Sequence, residues 1–293
     1  MARDRRSRRP DSGVSGAVVI DKRAGCTSHD VVDEVRRVLG TRKVGHAGTL
    51  DPDATGVLVL GVGRGTKLLE YVTGSAKSYS GEVVFGAETS TLDSSGEVTA
   101  THDMGDLQLD AVRTVARSFV GEIEQVPPMV SAVRVGGRRL HELAREGVEV
   151  ERRARLVTVH RFDVEETRDP LVFSVEVDCT SGTYIRTLAA DLGNALGGGA
   201  HLQNLRRTAI GSIRVADAEP LDDFTLRPLD VLVAGMPTVQ VDDEIARRVS
   251  HGQSLGPSAG AGLVAIKGPD AQLLAVYEIR DGELRPAKVL LGR

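Results

Sequence analysis

Apolar residues recur along the chain with two periods, and the change from one to the other marks its elements. Gly16 to Ile20 is a short apolar run of strand length. Thr27 with Asp30 three residues later has the form of a helix start, and Val31, Val32, Val35, Val38 and Leu39 then repeat on one face until Gly40 ends the segment. From Gly45 to Thr55 the period vanishes, predicting a loop between that helix and the apolar run Val57 to Val62. A short helix is expected near Thr66 to Tyr71, a strand over Tyr79 to Phe85 and a helix from Leu109 to Phe119. Residues 124–150, with Pro127-Pro128, Gly136-Gly137 and several arginines, read as an inserted arm carrying a short helix, Arg139 to Arg145.

Two strands are predicted next, Leu156 to Val164 and Val172 to Thr180. In the second, Phe173, Val175, Val177 and Cys179 alternate with Ser174, Glu176 and Asp178, so one face is wet. A helix from Thr183 to Leu196 stops at Gly197-Gly198-Gly199, and a strand covers Asn204 to Ile213. Strands that mostly alternate, interleaved with helices, predict an α+β fold with a mixed, mostly antiparallel sheet. From Val239 the pattern changes to a helix, Asp242 to Val249, and three brief strands. The expected division is a basic arm (1–14), a main domain (15–238) and a small, mainly β C-terminal domain (239–293) that docks on it.

Composition narrows the function. Among 293 residues, 41% are hydrophobic and 27% charged, as in globular proteins, and no apolar run reaches the ~20 residues that span a bilayer. No signal-peptide pattern opens the chain, so a cytoplasmic location without membrane attachment is expected. Two cysteines, Cys26 and Cys179, exclude a thiolate cluster, and the seven histidines show no metal spacing; no metal is expected. The formal charge of −4 disfavours a nucleic-acid partner only on average, because cations cluster at Arg3 to Arg9, Arg134 to Arg145, Arg152 to Arg155 and Arg206-Arg207. Each cluster taken alone is equally a solvated face.

The most unusual text is Gly45-His46-Ala47-Gly48-Thr49-Leu50-Asp51-Pro52-Asp53-Ala54-Thr55-Gly56. Pro52 drives Asp51 toward extended backbone, and the flanking glycines permit tight turns. Asp51 is thus either a carboxylate presented for chemistry or the acceptor of an ordinary Asp-Pro turn. Asp51-x-Asp53-x-Thr55 also matches a magnesium-dependent phosphotransferase pattern, but no buried apolar strand precedes it. Gly61 to Lys67 lacks the order of a phosphate loop.

The same segment, extended through Val57 to Gly63, resembles the catalytic segment of the TruB family of tRNA pseudouridine synthases. Further matches follow in that family's order: Asp21-Lys22, Lys77-Ser78-Tyr79, the insertion from Pro127-Pro128 to Gly147, Ser181 to Thr187, and Gly199-Ala200-His201 leading to Leu205-Arg206-Arg207. The resemblance covers residues 16–215. It implies a pseudouridine synthase fold with a C-terminal segment in the place of a PUA-type RNA-binding domain, and cofactor-free isomerisation of the T-loop uridine (position 55) of tRNA. Asp51 would attack the nucleotide, Arg186 would pair with it and lower its pKa, and Tyr79 would stack on the extruded base and accept the C5 proton. His46, Tyr184, Leu205 and Lys22 would contact the substrate. Arg134, Arg138, Arg139, Arg145, Arg206 and Arg207 would meet the RNA backbone. The expected partner is the tRNA T stem-loop, bound by a monomer without an obligate protein partner. A non-catalytic RNA-binding module is the competing expectation.

Overall fold

The computed structural model describes residues 13–131, 133–148 and 150–290. The basic arm predicted over 1–14 lies outside them apart from Gly13 and Val14, as do the side chains of Arg134, Arg139 and Arg145. In chain order the strands are β1 (Gly16–Lys22), β2 (Val44–His46), β3 (Thr55–Val62), β4 (Lys77–Phe85), β5 (Ala87–Thr89), β6 (Val98–Thr101), β7 (Gly121–Gln125), β8 (Arg134–Val135), β9 (Arg138–Arg139), β10 (Arg155–Glu166), β11 (Val172–Cys179), β12 (Ala200–Ile210) and β13 (Ile213–Arg214), followed by β14 (Thr238–Gln240), β15 (Leu255–Pro257), β16 (Gly262–Lys267), β17 (Leu273–Arg280) and β18 (Glu283–Val289). The helices are α1 (Ser28–Leu39), α2 (Leu69–Thr73), α3 (Leu109–Ser118), α4 (Leu140–Arg145), α5 (Ile185–Ala195) and α6 (Asp243–Ser250).

The main sheet runs β1-β3-β12-β4-β11-β10-β7, with β2 on β3 and β13 on β12. Every neighbouring pair is antiparallel except β3 and β12. This is the mixed, mostly antiparallel α+β architecture expected. Strand β3 reads apolar at nearly every position because both of its faces are covered: Val57 and Val59 enter one core, Leu58, Leu60 and Val62 another. A third core joins β4, β11 and β12 to α3 and α5. On β11 the predicted alternation holds, with Phe173, Val175, Val177 and Cys179 buried and Glu176 exposed.

Helix α1 begins with the reciprocal cap between Thr27 and Asp30 and ends at Gly40, whose φ is +61°. Val38 departs from the expected stripe and is 52% exposed, since it lies roughly 70° from the stripe's centre at 100° per residue. The arm predicted over 124–150 starts later, because Glu124 and Gln125 still pair with Leu156 and Arg155 at the sheet edge. The strand expected from Asn204 begins at Ala200. A bulge interrupts it, its register on β4 slipping between Gln203 and Arg206 with Asn204 at φ +53°. The bulge turns Leu205 out of the ladder. The hairpin β5–β6 was not legible in the apolar pattern at all.

The C-terminal segment holds five strands rather than three, ordered β14-β16-β17-β18-β15. The two extra strands are three residues each, too short to show a period. It does dock: Ala265, Leu273, Val276 and Leu290 share one core with Ala17, Val19, Val57 and Leu232.

Candidate active site

The loop of residues 47–54 between β2 and β3 is fastened through its main chain. Ser28, at the first turn of α1 and 1% exposed, accepts from Leu50 N–H and donates to Leu50 C=O. Lys22, also 1% exposed, directs its three donors to the carbonyls of Arg23, Pro52 and Ala54 at 2.9, 2.8 and 2.7 Å. Arg207, again 1% exposed, donates from Nη2 to Gly48 C=O, from Nη1 to Thr49 C=O and from Nε to Val57 C=O. Carbonyls that would otherwise be left without water are thereby satisfied, and two buried cations are solvated by main-chain dipoles. The loop cannot slide.

Lys22 and Arg207, expected at the substrate and at the RNA backbone, both direct their donors inward, to main-chain carbonyls of the loop that carries Asp51 and of its neighbours. Arg206 does approach the surface, but it is held bidentately by Asp21 at 2.7 and 3.0 Å. Arg138 pairs with Glu146 within the arm.

Gly56 shows how little room the anchor leaves. Its φ is +99°, and a Cβ there would stand 2.2 Å from the main-chain oxygen of Arg207. Gly56→Ala is expected to cost about 1–3 kcal/mol for the backbone conformation alone, with the clash added. Urea unfolding read as a shift in midpoint checks this; an unchanged midpoint refutes the packing described here.

Asp51 lies at the partition between two adjoining hollows of ≈170 and ≈250 Å³, both of which it borders together with Arg186 and Leu205. Its Oδ2 is 3.0 Å from Nε of Arg186, which is 4% exposed. The same Nε lies 3.4 Å from Oδ2 of Asp93, while Nη1 donates to Thr91 C=O and Nη2 to Val130 C=O at 2.7 and 2.8 Å. One guanidinium thus joins α5, the β5–β6 hairpin, the inserted arm and the Asp51 loop. Asp93 is itself oriented: its Oδ1 accepts from the hydroxyls of Thr91 and Ser95 and from Ser95 N–H, leaving Oδ2 for Arg186.

The pairing was expected to lower the pKa of Asp51. Instead, burial raises it above the usual carboxylate range and the nearby Asp93 adds to the rise, while Arg186 opposes without cancelling. Solvent still reaches 41% of the side chain, from the cleft. A nucleophile must be ionised, so activity is expected to fall on the acid side through a pKa above ~4. Asp93→Asn removes a like charge and should move that limb to lower pH. Single-turnover rates across pH test the sign; an acid limb that moves upward in Asp93→Asn contradicts it.

The second hollow is lined by Tyr79, Tyr184, Lys77 and Arg207. Tyr79 stands on β4 directly across from Arg207 on β12 and is 9% exposed. Burial pushes its phenol up, and the positive charge of Arg207 works against that rise. Tyr184 is set by Gln125, 2% exposed, whose amide accepts from Tyr184 N–H and donates to Tyr184 C=O. Leu205, thrown out by the bulge, borders both hollows. His46 lines neither; it sits on β2 edge-to-face with His29, and burial lowers its pKa. Among the described residues no group of three His, Cys, Asp or Glu side chains is placed to hold a metal ion.

Asp93, Gln125 and Ser28 were missed in the sequence. Only Asp93 had a local signal, the polar turn Thr91-Leu92-Asp93-Ser94-Ser95-Gly96.

Residues 36–185 match the model of the TruB family pseudouridylate synthase N-terminal domain. Residues 186–232 match a tRNA pseudouridylate synthase B C-terminal domain, and 236–291 the C-terminal domain of tRNA pseudouridine synthase II. The tRNA pseudouridine synthase B of Thermobifida fusca (strain YX) is 46% identical over 94% of this chain and 99% of its own length. That of Mycobacterium sp. (strain KMS) is 44% identical over 96% and 98%. Among solved structures, a chain of a Cbf5–Nop10–Gar1 complex superposes with a TM-score of 0.71 at 25% identity, covering 95% of this chain and 85% of that one. With an anchored Asp–Arg pair in a two-lobed cleft and relatives of this identity along nearly their whole lengths, the chain belongs to the TruB family of pseudouridylate synthases.

Proposed function

We propose that the chain isomerises a uridine of the tRNA T loop to pseudouridine, with Asp51 as the nucleophile. The observation that carries this reading is the half-exposed Asp51 carboxylate, held against the buried Arg186 where two hollows meet. The relatives' shared name, tRNA pseudouridine synthase B, supports the substrate class.

A carboxylate suits the task because it can form a covalent adduct and leave again. The Asp51 oxygen attacks the nucleotide at the ribose C1′ or at C6 of the ring, and the N1–C1′ bond breaks. The uracil turns and a C5–C1′ bond forms; the Asp51–C1′ bond breaks in that step, or, on the C6 route, the Asp51–C6 bond breaks when C5 loses its proton. The C5 proton then leaves to Tyr79 while N1 gains one, so the product is an isomer and neither a redox partner nor a group donor enters. A base that detaches and turns needs space beside the nucleophile, and the two hollows that Asp51 borders offer it. Leu205 and Tyr79 offer an apolar edge and a ring face to the pyrimidine.

A T-loop uridine is stacked in folded RNA, and extracting it costs a few kcal/mol. Cations of the arm and nearby surface offset that through phosphate contacts, which makes binding salt-dependent. Incubation with a T-arm stem-loop labelled with tritium at uridine C5 tests the reading, with label release and mass mapping as readouts. Salt-sensitive binding of the stem-loop without release would favour an RNA-binding module. Phosphotransfer abolished by EDTA, without any tritium release, would favour the magnesium-dependent phosphotransferase.

A further inference from the structure

Arg207 has a second neighbour that anchoring the loop does not explain. It stands opposite Tyr79 across the β12–β4 ladder and opposite Gly56 across β12–β3, so one strand position touches the Asp51 loop on one side and the Tyr79 ring on the other. Three of its N–H groups serve carbonyls of the loop and of β3, and the residue borders the same hollow as Tyr79, its direct cross-strand neighbour. Lys77 and Arg186 border the same hollow as Tyr79, and Cys179 on β11, directed away from ionisation by burial, and Asp51 also act on its phenol. Among these cations Arg207 is the one paired with Tyr79 directly across the ladder. A guanidinium is planar and stays charged when buried, so it can hold an oxygen anion in a fixed direction.

We propose that Arg207 is a positioning residue: its guanidinium fixes the Tyr79 oxygen relative to the Asp51 loop and balances the charge of the phenolate that takes the C5 proton. The proposal rests on the reading of Tyr79 as the base. In that step the phenolate oxygen bonds the proton, the C5–H bond breaks and its electron pair closes the C5–C6 double bond. The C6–N1 π pair moves to N1, which takes a proton from water, or, on the C6 route, the Asp51 carboxylate leaves C6; a neutral phenol remains. Nucleophile and base are then held by one side chain in one frame.

The chain has four tyrosines and no tryptophan, so replacing the tyrosines by a fluorinated tyrosine gives few ¹⁹F resonances, and Tyr79→Phe identifies the relevant one. In the full-length protein, Arg207→Gln is expected to move the titration of that resonance up by at least about one pH unit. The single-turnover rate should fall at least about tenfold near neutral pH and recover as pH rises, and a deuterium isotope effect at C5 should grow. Arg207→Lys keeps the charge and should titrate close to wild type although it loses the three-carbonyl fork. Should Arg207→Gln not fold, Arg207→Lys decides, since a merely structural role predicts a displaced titration there too. A Tyr79 resonance unmoved in Arg207→Gln, or moved equally in both variants, overturns the proposal. Full activity in Tyr79→Phe instead overturns the reading of Tyr79 as base, whatever the resonance does.

Discussion

Asp51→Asn is expected to abolish tritium release from the T-arm substrate, by about 10⁴-fold or more, the scale seen when a covalent nucleophile is removed from a preorganised site. The substitution is close to isosteric, so the loop should survive it: Ser28, Lys22 and Arg207 grip main-chain groups and none depends on the Asp51 side chain. Binding of the stem-loop should therefore change far less than turnover, and thermal unfolding should stay near wild type or rise, because a carboxylate whose ionisation burial opposes is replaced by a neutral amide. Wild-type release rates in Asp51→Asn would remove Asp51 from the reaction. A collapse of both binding and stability would mean that the carboxylate holds the loop instead.

Arg186→Met carries the second large effect, on activity and stability together. The variant strips the donor from Thr91 C=O and Val130 C=O and leaves Asp51 and Asp93 facing each other without a cation. Breaking a buried charge pair costs about 3–5 kcal/mol; the lower end applies because solvent reaches 41% of Asp51. For a chain of this size the melting temperature should fall by roughly 10 °C. The acid limb of the rate profile should shift further upward, since the opposing influence on Asp51 is gone. Arg186→Lys should recover part of the stability, but one ammonium does not satisfy four acceptors spread over three elements. Equal melting temperatures for wild type and Arg186→Met would show that the guanidinium does not bind these elements together.

The chain by itself determined what depends on neighbours a few residues away. The Thr27–Asp30 cap and the stop at Gly40 are local hydrogen-bond and backbone effects, and both stand in the structure. The alternation on β11 records that one face is buried, and the loop around Asp51 is marked by its lost period and its Pro and Gly. The ordered motifs made the family legible.

Only the tertiary structure decided the direction of the cations. Lys22, Arg186, Arg206 and Arg207 are alike as sequence, yet one reaches a carboxylate on the surface, one joins four elements in the cleft, and two are buried against carbonyls. Which of these a long side chain does depends on acceptors up to 185 residues away, as between Arg206 and Asp21. The pKa of Asp51 follows the same rule: a partner in the sequence argues for a fall, but desolvation is a property of the assembled cleft and here it prevails. Asp93 showed only as part of a polar turn and Gln125 not at all for the same reason, since a polar residue in a turn or at a strand end acquires its role only when folding brings Arg186 and Tyr184 within hydrogen-bonding reach.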